Sequence, residues 1–253
     1  MLNKEKEFLS SSVKLIVGVD EAGRGPLAGP VYAAAAVFDS SFEDELIDDS
    51  KKLTEKKREA LFSLIKEKAL SYGIASVSAD EIDKYNIYEA TKIAMRRAIE
   101  QIGVDYDLII TDAMPLKIEG KNVIAMIKGD AQCMNVAAAS ILAKVSRDHY
   151  MEELDKQYPE YGFAKHKGYG TKAHMEALEK YGPIEHIHRK SFAPIRAFFD
   201  KQLKLLNQQI NSFTIQSAKF LENYSNITFE DRIRNFFNKK YSIDDAFDKK
   251  LKC

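Results

Sequence analysis

Residues 13–38 read VKLIVGVDEAGRGPLAGPVYAAAAVF. Val13–Asp20 is a short apolar run, rich in β-branched residues, that closes on the acidic pair Asp20–Glu21. A buried strand is predicted there. Residues 23–30, GRGPLAGP, carry three glycines and two prolines and must form a loop. Val31–Phe38 is apolar throughout and predicts a second strand.

The pattern continues outward. Residues 54–70 have helical spacing, with Thr54 as N-cap, and 72–78 alternate as a third strand. Residues 79–102 are periodic like a helix, and Gly103 is a natural stop. YDLIIT at 106–111 is a fourth strand followed by Asp112, and NVIAMI at 122–127 a fifth, followed by Lys128, Gly129 and Asp130. A long helix is predicted over 131–154, its alanine-rich stripe suited to close packing on a sheet. Shorter helices follow over 171–181 and 194–210. A strand meander that gives way to alternating strands and helices predicts an α/β or α+β sheet with helices on its faces. Residues 1–205 are read as one domain and 206–253 as a small C-terminal helical appendage of unclear role.

Composition narrows the class. Hydrophobic residues make up 45% of the 253, enough for a core. No stretch approaches the roughly 18 apolar residues of a membrane span, and MLNKEKEFLSSSVK has no apolar secretory core. The expected location is the cytoplasm, and nothing in the pattern demands more than a monomer. The two cysteines, Cys133 and Cys253, form no Cys-x-x-Cys pair, so a disulfide framework or structural zinc is not expected. Acidic and basic residues balance at 38 each. From Lys201 onward, though, ten Lys and Arg stand against six Asp and Glu, leaving +4 there and −4 before it. Basic runs at Lys51, Lys52, Lys56, Lys57 and Arg58, at 165–172, and at 189–196 are either solvated faces or phosphate contacts.

Asp20–Glu21, Asp112 and Asp130 each fall at or just past a predicted strand end. If strands one, four and five are parallel neighbours, the four carboxylates converge beyond their carboxyl ends, where open α/β sheets place their sites. Carboxylates so close repel one another unless cations join them. An oxygen-only set without His or Cys suits Mg²⁺ or Mn²⁺, and two such ions make a phosphodiesterase site. Any one of these acids could equally be a turn former or helix cap. Gly23-Arg24-Gly25 lets backbone approach a ligand, but it is neither a dinucleotide fingerprint nor a P-loop. His186-x-His188 is either a two-histidine metal pair or a loop pair touching backbone or phosphate.

GVDEAGRGPLAGPV closely resembles the signature of type 2 ribonuclease H, the ribonuclease HII family. DSKKL at 49–53, LIITDAM at 108–114, IKGDAQCMNVAAASILAKVSRD at 127–148, HKGYGT at 166–171 and HRKSFAP at 188–194 resemble its later motifs in the same order. The resemblance runs from about residue 13 to 200 and stops before the tail. It implies a ribonuclease H-like five-stranded mixed sheet in the order 3-2-1-4-5, flanked by helices. It implies Asp20, Glu21, Asp112 and Asp130 as catalytic metal ligands for Mn²⁺ or Mg²⁺. It implies recognition of a ribose 2′-OH by Gly23, Arg24 and Gly25, with Tyr169 on the adjoining sugar. Lys51, Ser140, Lys144, Lys167 and Arg189 become candidate phosphate contacts. The implied substrate is an RNA/DNA hybrid or duplex DNA bearing ribonucleotides, cut 5′ of the ribonucleotide to leave 3′-hydroxyl and 5′-phosphate ends. Two rivals remain: a resolvase- or integrase-like nuclease of the same carboxylate architecture, and a catalytically silent nucleic-acid-binding module.

Overall fold

The computed structural model describes residues 4–44, 46, 47, 50 and 53–225. Five strands form one sheet: β1 Ile16–Ala22, β2 Val31–Val37, β3 Ser71–Val77, β4 Leu108–Asp112 and β5 Asn122–Met126. Their order is β3-β2-β1-β4-β5. β1 runs antiparallel to β2, and β2 to β3, whereas β1, β4 and β5 are mutually parallel. This is the expected ribonuclease H-like mixed sheet. The short loop 23–30 allows the β1–β2 return, while β1, β4 and β5 need crossovers.

Helices α1 (Glu55–Lys68), α2 (Ala79–Ile99), α3 (Met134–Gln157), α4 (Phe163–His166), α5 (Lys172–Tyr181) and α6 (Ala193–Ser225) complete the chain. Local chemistry sets their starts. Thr54 accepts from the Lys57 amide, and Ser78 and Glu81 form a reciprocal capping box on α2. Asn86 breaks α2 with φ 63°, and its side chain caps the next turn at Tyr88 and Glu89. The long central helix starts three residues later than its periodicity suggested. Gly129–Ala131 forms a 3-10 turn first, and Glu5 from the N-terminal turn Lys4–Phe8 accepts from the Met134 amide at 2.7 Å. α6 continues well past residue 210, to Ser225. Among the described residues the chain divides into two units, the boundary falling between Phe198 and Phe199.

Strand alternation splits the core. Val17, Val19 and Ile109 face α2 at Ile82, Ala94, Met95 and Ala98. Ile16, Ile110 and Val136 pack on the opposite face, where Ala34 and Ala36 also meet α3 at Ala137, Ala138 and Ile141. Small residues let α3 lie close on β1. A Cβ added at Gly18 would stand 2.2 Å from the Asn135 backbone carbon. The Asn135 side chain donates to the Ile16 carbonyl at 2.5 Å, which fixes helix against strand. Among the described residues no helix is long and apolar enough to cross a membrane.

Gly18→Ala should therefore push α3 off the sheet and cost about 1–3 kcal/mol or more, the usual penalty of overpacking. A urea midpoint unchanged from the parent would show that the contact yields.

Candidate active site

The parallel register brings the acids together. Gly18 pairs with Ile110 and Val19 with Thr111, so Asp20 comes level with Asp112. Ile16 and Ile110 face α3, and the two-residue period turns Asp20 and Asp112 the same way. Asp130 arrives from the 3-10 turn before α3, and the neighbouring Gly129 amide donates to Asp112 Oδ1 at 2.8 Å. One carboxylate oxygen from each of Asp20, Asp112 and Asp130 lies within 4.8 Å of the others. The backbone is bent to do this: Ala113, just after Asp112, and Lys128, two before Asp130, have φ of 53° and 56°. Such left-handed conformations are costly outside glycine.

Asp20 and Asp130 are only 5% and 2% exposed. Burial pushes the Asp20 carboxyl well above the usual carboxylate range, and the Glu21 and Asp112 charges add to that push. A hydrogen bond from Ser140 opposes them. Burial also raises Glu21, while the Arg24 guanidinium, 3.3 Å from Oε1, pulls it down. Glu21 Oε2 is buried with no hydrogen-bond partner. Glu21 stands beside the three aspartates rather than within their cluster. A divalent cation would relieve both the repulsion and the unpartnered oxygen, and the all-oxygen donor set fits Mg²⁺ or Mn²⁺.

A cleft of about 380 Å³ opens over Asp20, Glu21 and Asp112. The Gly23–Gly25 loop, Ser140, Lys144 and Tyr169 line it. Ser50, Arg58 and Arg147 line it too. Ser50 and Ser140 hydroxyls lie 3.0 Å apart, and Arg58 donates to the Ser50 and Leu53 carbonyls. Lys144 donates to both carboxylate oxygens of Asp148. The half-exposed Tyr169 ring reaches to 3.4 Å from where a Gly25 Cβ would stand.

Two expected phosphate contacts are not brought to the cleft. Arg189 is wholly buried and gives its guanidinium to the carbonyls of Gly23, Arg24 and Gly29. Lys167 pairs instead with Glu152. Lys51 lies outside the described residues. His186 and His188 do not act as a pair. His186 meets Asp80 at 2.7 Å, whereas His188 turns inward to His174 at 3.1 Å. Ser50 and Arg147 lie within the quoted segments DSKKL and IKGDAQCMNVAAASILAKVSRD but were given no role there, and Arg58 stood only within a basic run. A lone Arg on the alanine-rich side of α3, seven residues after Ser140, was the available clue.

The inward histidines support the Tyr169 loop. The Ile184 amide donates to His188 Nδ1, which leaves the proton of a neutral ring on Nε2 to donate to His174 Nε2. His174 Nδ1 then carries the proton donated to the Tyr169 carbonyl at 3.0 Å. Burial holds both rings down at about 4.

This fold and carboxylate cluster define a metal-dependent nuclease with a ribonuclease H-like core. The family model for ribonuclease HII matches residues 17–195. The chain is 52% identical over 203 residues to the ribonuclease HII of Desulfitobacterium hafniense (strain DSM 10664 / DCB-2), covering 79% of this chain and 76% of that one. The ribonuclease HII of Caldicellulosiruptor bescii is 52% identical over 188 residues, 74% of this chain and 91% of the other. Among solved structures, the ribonuclease H2 of Pyrococcus horikoshii OT3 superposes with a TM-score of 0.64 at 31% identity, over 74% of this chain and 98% of that chain. The chain belongs to the ribonuclease HII family. It is a metal-dependent endoribonuclease of the ribonuclease H class, acting on nucleic acid.

The neutral rings predict a pH dependence. Their folded pKa lies below the ordinary 6.5, so the unfolded chain binds more protons between the two values. Their stabilisation is complete above about pH 6.5 and is lost as pH falls toward 4. The free energy of unfolding should fall over that window, read as a falling urea midpoint. His188→Gln should flatten this segment of the curve, and identical pH profiles for the two proteins would count against the relay.

Proposed function

We propose that this enzyme cuts 5′ of ribonucleotides embedded in duplex DNA, as well as the RNA strand of hybrids, by two-metal-ion catalysis. The observation that carries this is the meeting, around one cleft, of the carboxylate cluster, the Gly23–Gly25 loop and the Tyr169 ring. Asp20, Glu21, Asp112 and Asp130 would hold two divalent cations, Mn²⁺ or Mg²⁺. When bound, such ions activate a water and stabilise the departing 3′-oxygen.

The chain's own residues supply recognition. Gly23 has φ 96°, and a Cβ there would stand 2.1 Å from Arg147 Nε, so the loop backbone lies directly on that guanidinium. Backbone groups of Gly23, Arg24 and Gly25 read the 2′-OH, the group that separates RNA from DNA. Tyr169 packs on the adjoining sugar. Ser140 and Lys144, four residues apart on α3, contact phosphate. Among the described residues no histidine lines the cleft, which favours this scheme over attack by the 2′-OH with a histidine pair. The products carry 3′-hydroxyl and 5′-phosphate ends.

Asp112→Asn should lower turnover by about 10²–10³-fold, a loss typical of removing charge stabilisation in the transition state, while circular dichroism stays unchanged. Cleavage at the wild-type rate would remove the assignment. On a duplex with one ribonucleotide, end-group analysis should give 5′-phosphate, and a 2′,3′-cyclic end would refute the mechanism. Mn²⁺ at 100 times its Kd should stabilise the wild type by about 2.7 kcal/mol. Asp130→Asn should erase much of that gain in a thermal shift assay.

A further inference from the structure

We propose that Arg147 is a positioning residue: with Arg189 it clamps the Gly23–Arg24–Gly25 loop and the Tyr169 loop into one rigid ribose sensor, indexed to the carboxylates by helix α3. The inference rests on the recognition roles proposed above for those two loops.

Arg147 and Arg189 are 1% and 0% exposed. Together they make six hydrogen bonds, all to backbone carbonyls of two loops. Arg147 donates to Ala28 at 3.2 Å, Pro30 at 3.1 Å and Lys167 at 3.0 Å. Arg189 donates to Gly29 at 2.9 Å, Arg24 at 3.0 Å and Gly23 at 2.7 Å. Arg147 therefore spans both loops, and Arg189 holds the first from its other end. The Leu27 amide ties them again, donating to the Gly168 carbonyl at 2.8 Å.

A pair of buried cations is a costly way to fill a core. Each guanidinium must be desolvated, and apolar residues of similar volume commonly do as well or better for stability. What a guanidinium adds is a flat fork of donors that fixes several carbonyls at once. Lysine carries the charge without the fork.

Arg147 sits seven residues after Ser140 and three after Lys144 on α3. That helix begins just after Asp130, and it packs on β1, the strand that carries Asp20. One rigid element thus carries the clamp and abuts the carboxylates. The separation between ribose sensor and bond cut is set through it.

The test uses the full-length enzyme with Mn²⁺ and two substrates, a duplex with one ribonucleotide and a continuous RNA/DNA hybrid. Arg147→Lys should lower kcat/KM about tenfold more on the first than on the second, with Mn²⁺ affinity by calorimetry unchanged. In a Tyr169→Ala background the same change should cost less than about twofold, because residues that act as one unit are not additive. Equal losses on both substrates, full additivity, or no loss would overturn the clamp. If Arg147→Lys does not fold, Arg189→Lys is judged by the same criteria; failure of both to fold also overturns it, since a structural role then suffices. Tyr169→Ala alone separates the two layers. If it cuts single ribonucleotides at the wild-type rate, the recognition reading fails and the clamp falls with it.

Discussion

Three carboxylate groups held close together in a poorly solvated place govern this molecule. The parallel pairing of β1 and β4 sets Asp20 level with Asp112 on the face toward α3. The 3-10 turn before α3 adds Asp130. In a medium of low effective dielectric such charges repel strongly, and burial already resists ionisation of Asp20. An arrangement of this kind stands at odds with stability unless a cation neutralises it. The left-handed backbone at Ala113 and Lys128 is a further local cost on either side of the cluster. The rest of the fold provides the binding energy that sustains these costs, through apolar contacts on both faces of the sheet.

Helix α3 is where that support and the chemistry meet. Its alanines and Val136 lie flat on the sheet because Gly18 offers no side chain. The same helix turns Ser140, Lys144 and Arg147 toward the cleft. Its N-terminus is held by Glu5, so a residue 129 positions away in sequence steadies the helix next to Asp130. Displacing α3 would move metal ligands, cleft cations and loop supports together.

The recognition side is built differently, from loops rather than regular elements. Loop 23–30 bonds outside itself, its Leu27 and Gly29 amides donating to Gly168 and Ile187, while the bonds within 166–171 are short turns at Gly168, Tyr169 and Thr171, which set local shape but leave the loops' placement to other groups. Two buried guanidiniums and a neutral histidine relay supply that placement from below. Tyr169 is left with its ring half exposed and its carbonyl anchored by His174. A firmly held backbone with an accessible ring suits contact with a sugar.

Much of this was legible in the residues. Short apolar runs, one alternating segment and the glycine-proline loop marked the strands. The acids at strand ends marked the site, because both signals are local and repeat along the chain. Thr54 and Ser78 as helix starts are local in the same way. What only the tertiary structure decided is which groups share a space. Arg189 looked like a surface cation in a basic run, and the fold buried it against loop carbonyls more than 150 residues earlier. Lys167 found Glu152, and His188 found His174, partners that charge or spacing does not name. Side-chain type and local periodicity are written along the chain. Burial and partner choice depend on contacts between segments far apart in it, and those exist only once the sheet and helices have packed.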